Sequence, residues 1–209
     1  MSTLRLGDAE AAADLGQYAQ RAKRLDPEGG MRLQAVGTVL AAWVRVLPGD
    51  GLTQSGLVLG LRTMGLTEPA QLDLTVPIGA ITDRIAHDPN GDLPVPPSTL
   101  VEPWAVVTPP RADWEDVGQI EPTAAAEAAR EGIEEVAKGA PEGSGAAIVA
   151  ELRRRVWSRP TPTDPAIPAG GALGLHALGF LVGDAPVQVR RQGPWTRLST
   201  PFGHVLARR

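Results

Sequence analysis

At 209 residues, with 43% hydrophobic and 21% charged side chains, the chain is long enough to bury a core without crosslinks and too apolar to be disordered. It contains no cysteine, which excludes disulfides, thiolate-bound zinc, iron–sulfur clusters and thiol nucleophiles. The formal charge of −4 is spread unevenly: residues 150–209 carry nine Arg and no Lys against Glu151, Asp164 and Asp184, a local +6, so residues 1–149 carry −10.

Asp8 is placed to cap a helix over residues 8–25, in which Leu15, Tyr18, Ala19, Ala22 and Leu25 recur on one face. Acidic side chains come early in it and Arg21, Lys23 and Arg24 late, matching the helix dipole. Asp26-Pro27-Glu28-Gly29-Gly30 stops it. Residues 31–47 and 56–66 are apolar and β-like, separated by a turn at 48–51, with Gly37 marking a bulge or turn. Thr67-Glu68-Pro69 is expected to turn the chain again into an alternating strand at 72–76. These segments predict a meander of three or four antiparallel strands. A helix is expected at 79–87, buried through Ile81 and Ile85, and a short one at 98–107 interrupted by Pro103.

Residues 109–120 read as irregular. Pro122 opens a helix reaching Lys138, with an expected buried stripe of Ala126, Ala129, Ile133, Val136 and Ala137. Ser144 is expected to cap the next helix, whose core side is Ile148, Leu152 and Val156. Residues 159–168 are Pro-rich and extended, 170–181 form an apolar helix, and 187–191, 195–199 and 204–207 read as a small terminal sheet. Residues 75–80 and 166–171 share a short pattern around Pro77 and Pro168, each preceding a helix. The fold class is therefore α+β: an N-terminal helix packed on an antiparallel meander sheet, then a helical region and a small C-terminal antiparallel sheet. The division expected is 1–110, an α+β sheet region, and 111–209, a helical region ending in a β-hairpin, with one continuous domain as the alternative.

Chemistry-bearing motifs are scarce. His87 lies at a helix end, where a cation suits the dipole. His176 falls inside an apolar run and is expected to be a hydrogen-bonded core residue. His204 meets His176 only if the terminal sheet folds over that helix. Asp88 to Asp92 begins like a calcium loop, but Gly91, Leu93 and Thr99 stand where that loop needs other residues, so it is a turn. Gly143-Ser144-Gly145 lacks the frame of a nucleophile elbow, and no phosphate-binding loop is present. The carboxylates Asp113, Glu115, Asp116 and Glu121 around Trp114 read as a solvated loop rather than an acid–base pair. No catalytic residue, metal ligand or cofactor site is assigned.

The arginines carry the strongest signal. Arg153, Arg154 and Arg155 are consecutive, so they fan around a helix rather than forming one stripe. With Trp157, Arg190, Arg191, Trp195 and Arg197 they form the candidate interaction surface. Helices followed by a hairpin is also the order in a winged-helix DNA binder, whose arginines would neutralise phosphates and whose tryptophans would stack. The helix in the recognition position has only His176 to offer a groove, and the chain is acidic overall. Pairing with Glu127, Glu131, Glu134 and Glu135 on the preceding helix, or across an interface, is favoured, ahead of nucleic acid and of an anionic small molecule.

The segments Leu4-Arg-Leu-Gly-Asp8, Ala13-Asp-Leu-Gly16, Leu178-Gly-Phe-Leu181, Trp195 and Phe202-Gly-His-Val205 resemble an uncharacterised family of conserved hypothetical proteins from high-GC bacteria. That resemblance implies a stand-alone protein and no particular chemistry. The reading reached is a non-catalytic interaction or regulatory protein, self-associating or with a protein partner. A DNA-binding regulator is the first alternative, and a binder or enzyme for an anionic small molecule the second. A cytoplasmic location and no membrane partner are expected, because residues 1–8 lack the layout of a secretion signal and no apolar run reaches 18 residues.

Overall fold

The computed structural model describes residues 3–88, 91–140 and 145–209. The elements are β1 (Thr3–Arg5), α1 (Ala9–Leu25), β2 (Gly30–Leu47), β3 (Val58–Pro77), α2 (Ile78–His87), β4 (Asp92–Pro94), a 3-10 turn (Pro103–Val106), β5 (Glu115–Ile120), α3 (Pro122–Gly139), α4 (Ala146–Ser158), α5 (Ala169–Ala177), β6 (Val187–Gln192), β7 (Trp195–Thr200) and β8 (Gly203–Arg208). β1 pairs with β4, and the other six strands follow the order β2-β3-β8-β7-β6-β5. The fold is α+β. Two compact units divide the chain: Met1–Val46 with Gly60–Thr108, and Leu47–Leu59 with Pro109–Arg209.

The first unit is built on a two-stranded ribbon rather than a meander of three or four strands. Thr67-Glu68-Pro69 does not turn the chain; β3 runs straight through it for 20 residues. A proline is tolerated where its missing N–H faces no partner strand. β2 is nearly as long, at 18 residues, and Gly37 sits within it at φ +59°. Before Gly37 the buried residues are Met31, Leu33 and Ala35; beyond it they are Leu40, Ala42 and Val44. The buried set changes from odd to even numbers, which requires a one-residue phase slip of the kind a bulge supplies.

α1 lies where expected, with the Asp8 carboxylate accepting from the Ala11 N–H at 2.8 Å. It buries Leu15, Tyr18, Ala19 and Ala22, and the Tyr18 hydroxyl donates to the Ala42 carbonyl of β2 at 3.4 Å. Burial raises the Tyr18 pKa well above the usual phenol range, with Arg62 pulling the other way. α2 meets α1 where Ile85 sits against Gly16, 3.0 Å from the position a Cβ would take. Residues 98–102 are not helical; only the turn at Pro103–Val106 forms.

In the second unit, residues 115–120 are a strand, not an irregular segment, because β6 pairs with them antiparallel. The register breaks between Asp116 and Gly118, and Gly118 has φ +129°. That irregularity removes the clean alternation by which a strand is recognised. α3 buries Ala125, Ala128, Ala129 and Gly132, a stripe rotated from the expected one, and Ile133 is left exposed. The cause is Trp157: a Cβ on Gly132 would lie 2.4 Å from its indole ring, so the glycine face must turn inward to seat it. α4 buries Leu152, Val156 and Trp157 while Ile148 is 64% exposed. Ser144, the expected cap, lies outside the described residues, as do residues 89 and 90 of the turn read at 88–92.

α5 is buried throughout Ala169–Leu175. Its glycines let it sit directly on the sheet: Cβ atoms on Gly171 and Gly174 would come within 2.7 Å of Leu198 and 2.9 Å of Val205. Pro77 and Pro168, the two prolines of the shared pattern, cap α2 and α5 with closely similar backbones, φ −56° ψ 132° and φ −62° ψ 132°. β6, β7 and β8 form the expected terminal sheet, and β8 continues into the 56–59 segment through Gly56 N–H to Arg208 O at 2.9 Å.

Candidate functional site

The arginine-rich region divides between α4 and the terminal sheet. On α4, Arg153, Arg154 and Arg155 are all exposed. Arg154 pairs with Glu151 and reaches Asp50 at 3.4 Å; the hydrogen bond to Glu151 raises its pKa further, followed by the attraction of the two carboxylates. Arg159 pairs with Glu135 of α3, as the charge pattern led us to expect. Arg155 lines an open groove of about 460 Å³ with Glu131, Glu134, Glu135, Lys138, Gly139 and Leu152. Trp157 is 6% exposed and Trp195 3%, so neither is a surface residue. Trp157 fills the α3–α4 contact, and Arg208 lies 5.5 Å over the Trp195 ring.

The sheet places the remaining arginines by simple alternation. Val189, Leu198 and Val205 occupy one cross-strand row, and α5 packs on that side through Gly171 and Gly174. Arg190 and Arg197, one residue along, therefore face the opposite side, directly across from each other. Asp116 extends their row. The next outer row is Gln119, Gln188, Ser199 and His204.

These two rows are hydrogen-bonded. Arg190 Nε is 3.7 Å from Asp116 Oδ2. Arg197 Nε donates to Ser199 Oγ at 3.1 Å, and His204 Nδ1 lies 2.9 Å from the same oxygen. Gln188 Nε2 donates to Gln119 Oε1 at 3.0 Å. Trp114 covers Arg197, with the guanidinium carbon 5.8 Å from its centroid, and is anchored by its own N–H on Pro110 O at 3.2 Å. Partial burial lowers the Arg197 pKa, and the nearby charge of Arg190 lowers it further. Arg191 turns to the other side and donates to Ala166 O at 2.7 Å.

Sequence reasoning named Arg190 and Arg197 but missed Trp114, Asp116, Ser199 and His204 as their neighbours. The alternation of residues 187–199 contained the signal for Ser199. For Trp114 and Asp116 it was hidden by the broken register. His204 does not approach α5: Val205 faces that helix, so His204 must face away. His176 is exposed at the end of α5, not a core residue. Because α5 is buried, it cannot serve as a recognition helix. Among the described residues no group of three or more His, Asp or Glu is placed to hold a metal ion, and no helix is long and apolar enough to cross a membrane.

The chain belongs to the family described as Domain of unknown function (DUF8010), whose profile matches residues 1–106. A second profile, Domain of unknown function (DUF8185), matches residues 109–209. No curated protein matches the chain. Similar solved structures include the DNA polymerase sliding clamp from Caulobacter crescentus, at 10% identity and a TM-score of 0.59, covering 100% of this chain and 65% of that one. The DNA polymerase III beta subunit from Thermotoga maritima is 12% identical with a TM-score of 0.55, covering 99% and 64%. The corresponding subunit from Pseudomonas aeruginosa is 15% identical with a TM-score of 0.54, covering 99% and 64%. The likeness is one of fold, and this chain spans only 64–65% of the length of those structures.

Proposed function

We propose that this is a non-catalytic interaction protein that self-associates through the open edges of its sheet. The observation that carries the reading is the strand order, in which, among the described residues, β2 and β5 each have a single strand neighbour. An unpaired edge is a template for another strand, and proteins that must stay monomeric blunt it with charge or proline. β2 is not blunted. Between Arg32 and Arg45 it has no charged residue, and Val36 and Val39 are 59% and 52% exposed. The fold likeness to structures described as DNA polymerase sliding clamps supports an interaction role. A division near residue 110 into two regions is part of the proposal.

Light scattering after size-exclusion chromatography tests it. The wild type is expected to run as a dimer or larger, and a Val36→Lys, Val39→Lys double variant as a monomer of unchanged circular dichroism. A wild type that stays monomeric at every concentration would falsify the proposal.

A second reading, tethering to DNA, is favoured by the description of the similar structures as clamps of a DNA polymerase. Against it, the exposed side of α3 carries Glu127, Glu131 and Glu134, and the formal charge is −4. Phosphate contacts would make affinity fall steeply with salt. No retardation of duplex or single-stranded DNA at low salt removes this reading.

A further inference from the structure

Two like charges directly opposite on one face of an antiparallel pair destabilise it, with Cβ atoms only about 5 Å apart. Arg190 and Arg197 stand in that relation. Their row offers one carboxylate, Asp116, which is 60% exposed and 3.7 Å from Arg190 Nε. A pair at that distance and exposure is weak, because solvent screening and side-chain entropy offset most of its attraction. Arg197 has no carboxylate partner among the described residues; it has the Ser199 hydroxyl and the face of Trp114. Among the described residues only its Nε donates a hydrogen bond, so the two terminal nitrogens, the fork that grips a planar or tetrahedral oxyanion with two parallel bonds, remain available as donors.

Around that fork the fold assembles a consistent set of groups. Trp114 and Ser199 hold the Arg197 guanidinium in one orientation, which lowers the entropy lost when it binds. His204 is joined to it through Ser199 Oγ. The Gln188–Gln119 pair closes the neighbouring row with amide groups. The register irregularity that places Asp116 opposite Arg190 lies at the rim of the cluster; such features recur beside binding sites.

We propose that the outer face of the β5–β8 sheet is a binding site for a small oxyanion, with Arg190 and Arg197 as its ligands and Trp114, Ser199 and His204 as positioning groups. The ligand carries two or more acceptor oxygens, as a phosphate ester or a carboxylate does. Its binding neutralises the opposed guanidiniums and takes over from the weakly engaged Asp116. The site uses no residue of β2, the edge on which the self-association test is made, so its failure would leave that reading standing, and the reverse.

Calorimetric titration of the full chain with inorganic phosphate, and separately with malonate, at constant ionic strength tests the proposal. The wild type is expected to show saturable binding of at least one of them, and the tighter ligand identifies the class. Arg190→Gln and Arg197→Gln are expected to weaken it about tenfold, the equivalent of one charge-assisted hydrogen bond. Arg153→Gln, on α4, is expected to leave it unchanged. Asp116→Asn should bind more tightly than wild type, because a competing carboxylate is gone; a merely structural role for the cluster would not produce a gain. If Arg197→Gln fails to fold, Arg197→Lys keeps the charge without the fork and is expected to bind more weakly. Absence of saturable binding of either anion, or equal affinity in wild type and the arginine variants, overturns the site.

Discussion

In the first unit, Arg32 Nε reaches Asp73 at 2.7 Å, Arg45 reaches Asp26 at 2.5 Å and Glu102 at 3.5 Å, and Arg62 Nε donates to Asp14 at 2.7 Å. In the second, Arg190 and Arg197 face each other with one exposed carboxylate beside them, at 3.7 Å. The first three side chains are only 16–30% exposed, and a partly buried cation must be paired because leaving it alone costs its desolvation. The outer-face pair is compensated less closely, by the exposed Asp116 for Arg190 and by the Ser199 hydroxyl and the Trp114 ring for Arg197. The difference separates arginines paired closely inside a unit from arginines that face each other across two strands, and it locates part of the local +6 of the C-terminal region more narrowly than composition does.

That contrast can be broken or sharpened by measurement. The largest expected effect tests the core of the second unit: Trp157→Ala should cost about 3–5 kcal/mol in urea unfolding, as for other buried aromatics. A cost near zero would return Trp157 to the surface. Next, Asp14→Ala should cost about 2 kcal/mol, since Arg62, 17% exposed, loses its carboxylate. Salt should reduce that cost only weakly, whereas an exposed pair would be screened. Gly132→Ala sets two effects against each other. Helix propensity favours alanine by about 1 kcal/mol, while a Cβ only 2.4 Å from the Trp157 ring brings an overpacking cost of about 1–3 kcal/mol. The clash should win, giving a net loss of stability. Smallest of all, Arg190→Gln in anion-free buffer should change stability by less than about 0.5 kcal/mol. A large loss there would make Arg190 as structural as Arg62 and erase the contrast.

Much of the fold was legible because local signals and burial agreed. α1 has its cap at Asp8, its dipole-matched charges and a buried stripe with the right spacing. The terminal sheet has alternation and a Gly193-Pro194 turn. Where the two disagreed, the sequence misled. Pro69 reads as a breaker, yet β3 passes through it. Residues 115–120 lack clean alternation, yet β6 pairs with them. Ile133 and Ile148 read as core, yet both are exposed, because Trp157 and Leu152 fill the α3–α4 contact against Gly132 and Gly139.

What the sequence determined by itself was the class of fold, most helices, and the presence of unbalanced arginines at the C-terminal end. Those follow from periodicity, capping and charge, which act over a few residues. Tertiary structure alone decided which arginines face one another. Strand register puts Arg190 across from Arg197 and Asp116, and alternation points all three away from α5. Cross-strand position depends on residues far apart in the chain, so no local pattern encodes it. The place of β2 at the end of the strand order among the described residues is likewise fixed only when the other strands have taken their places.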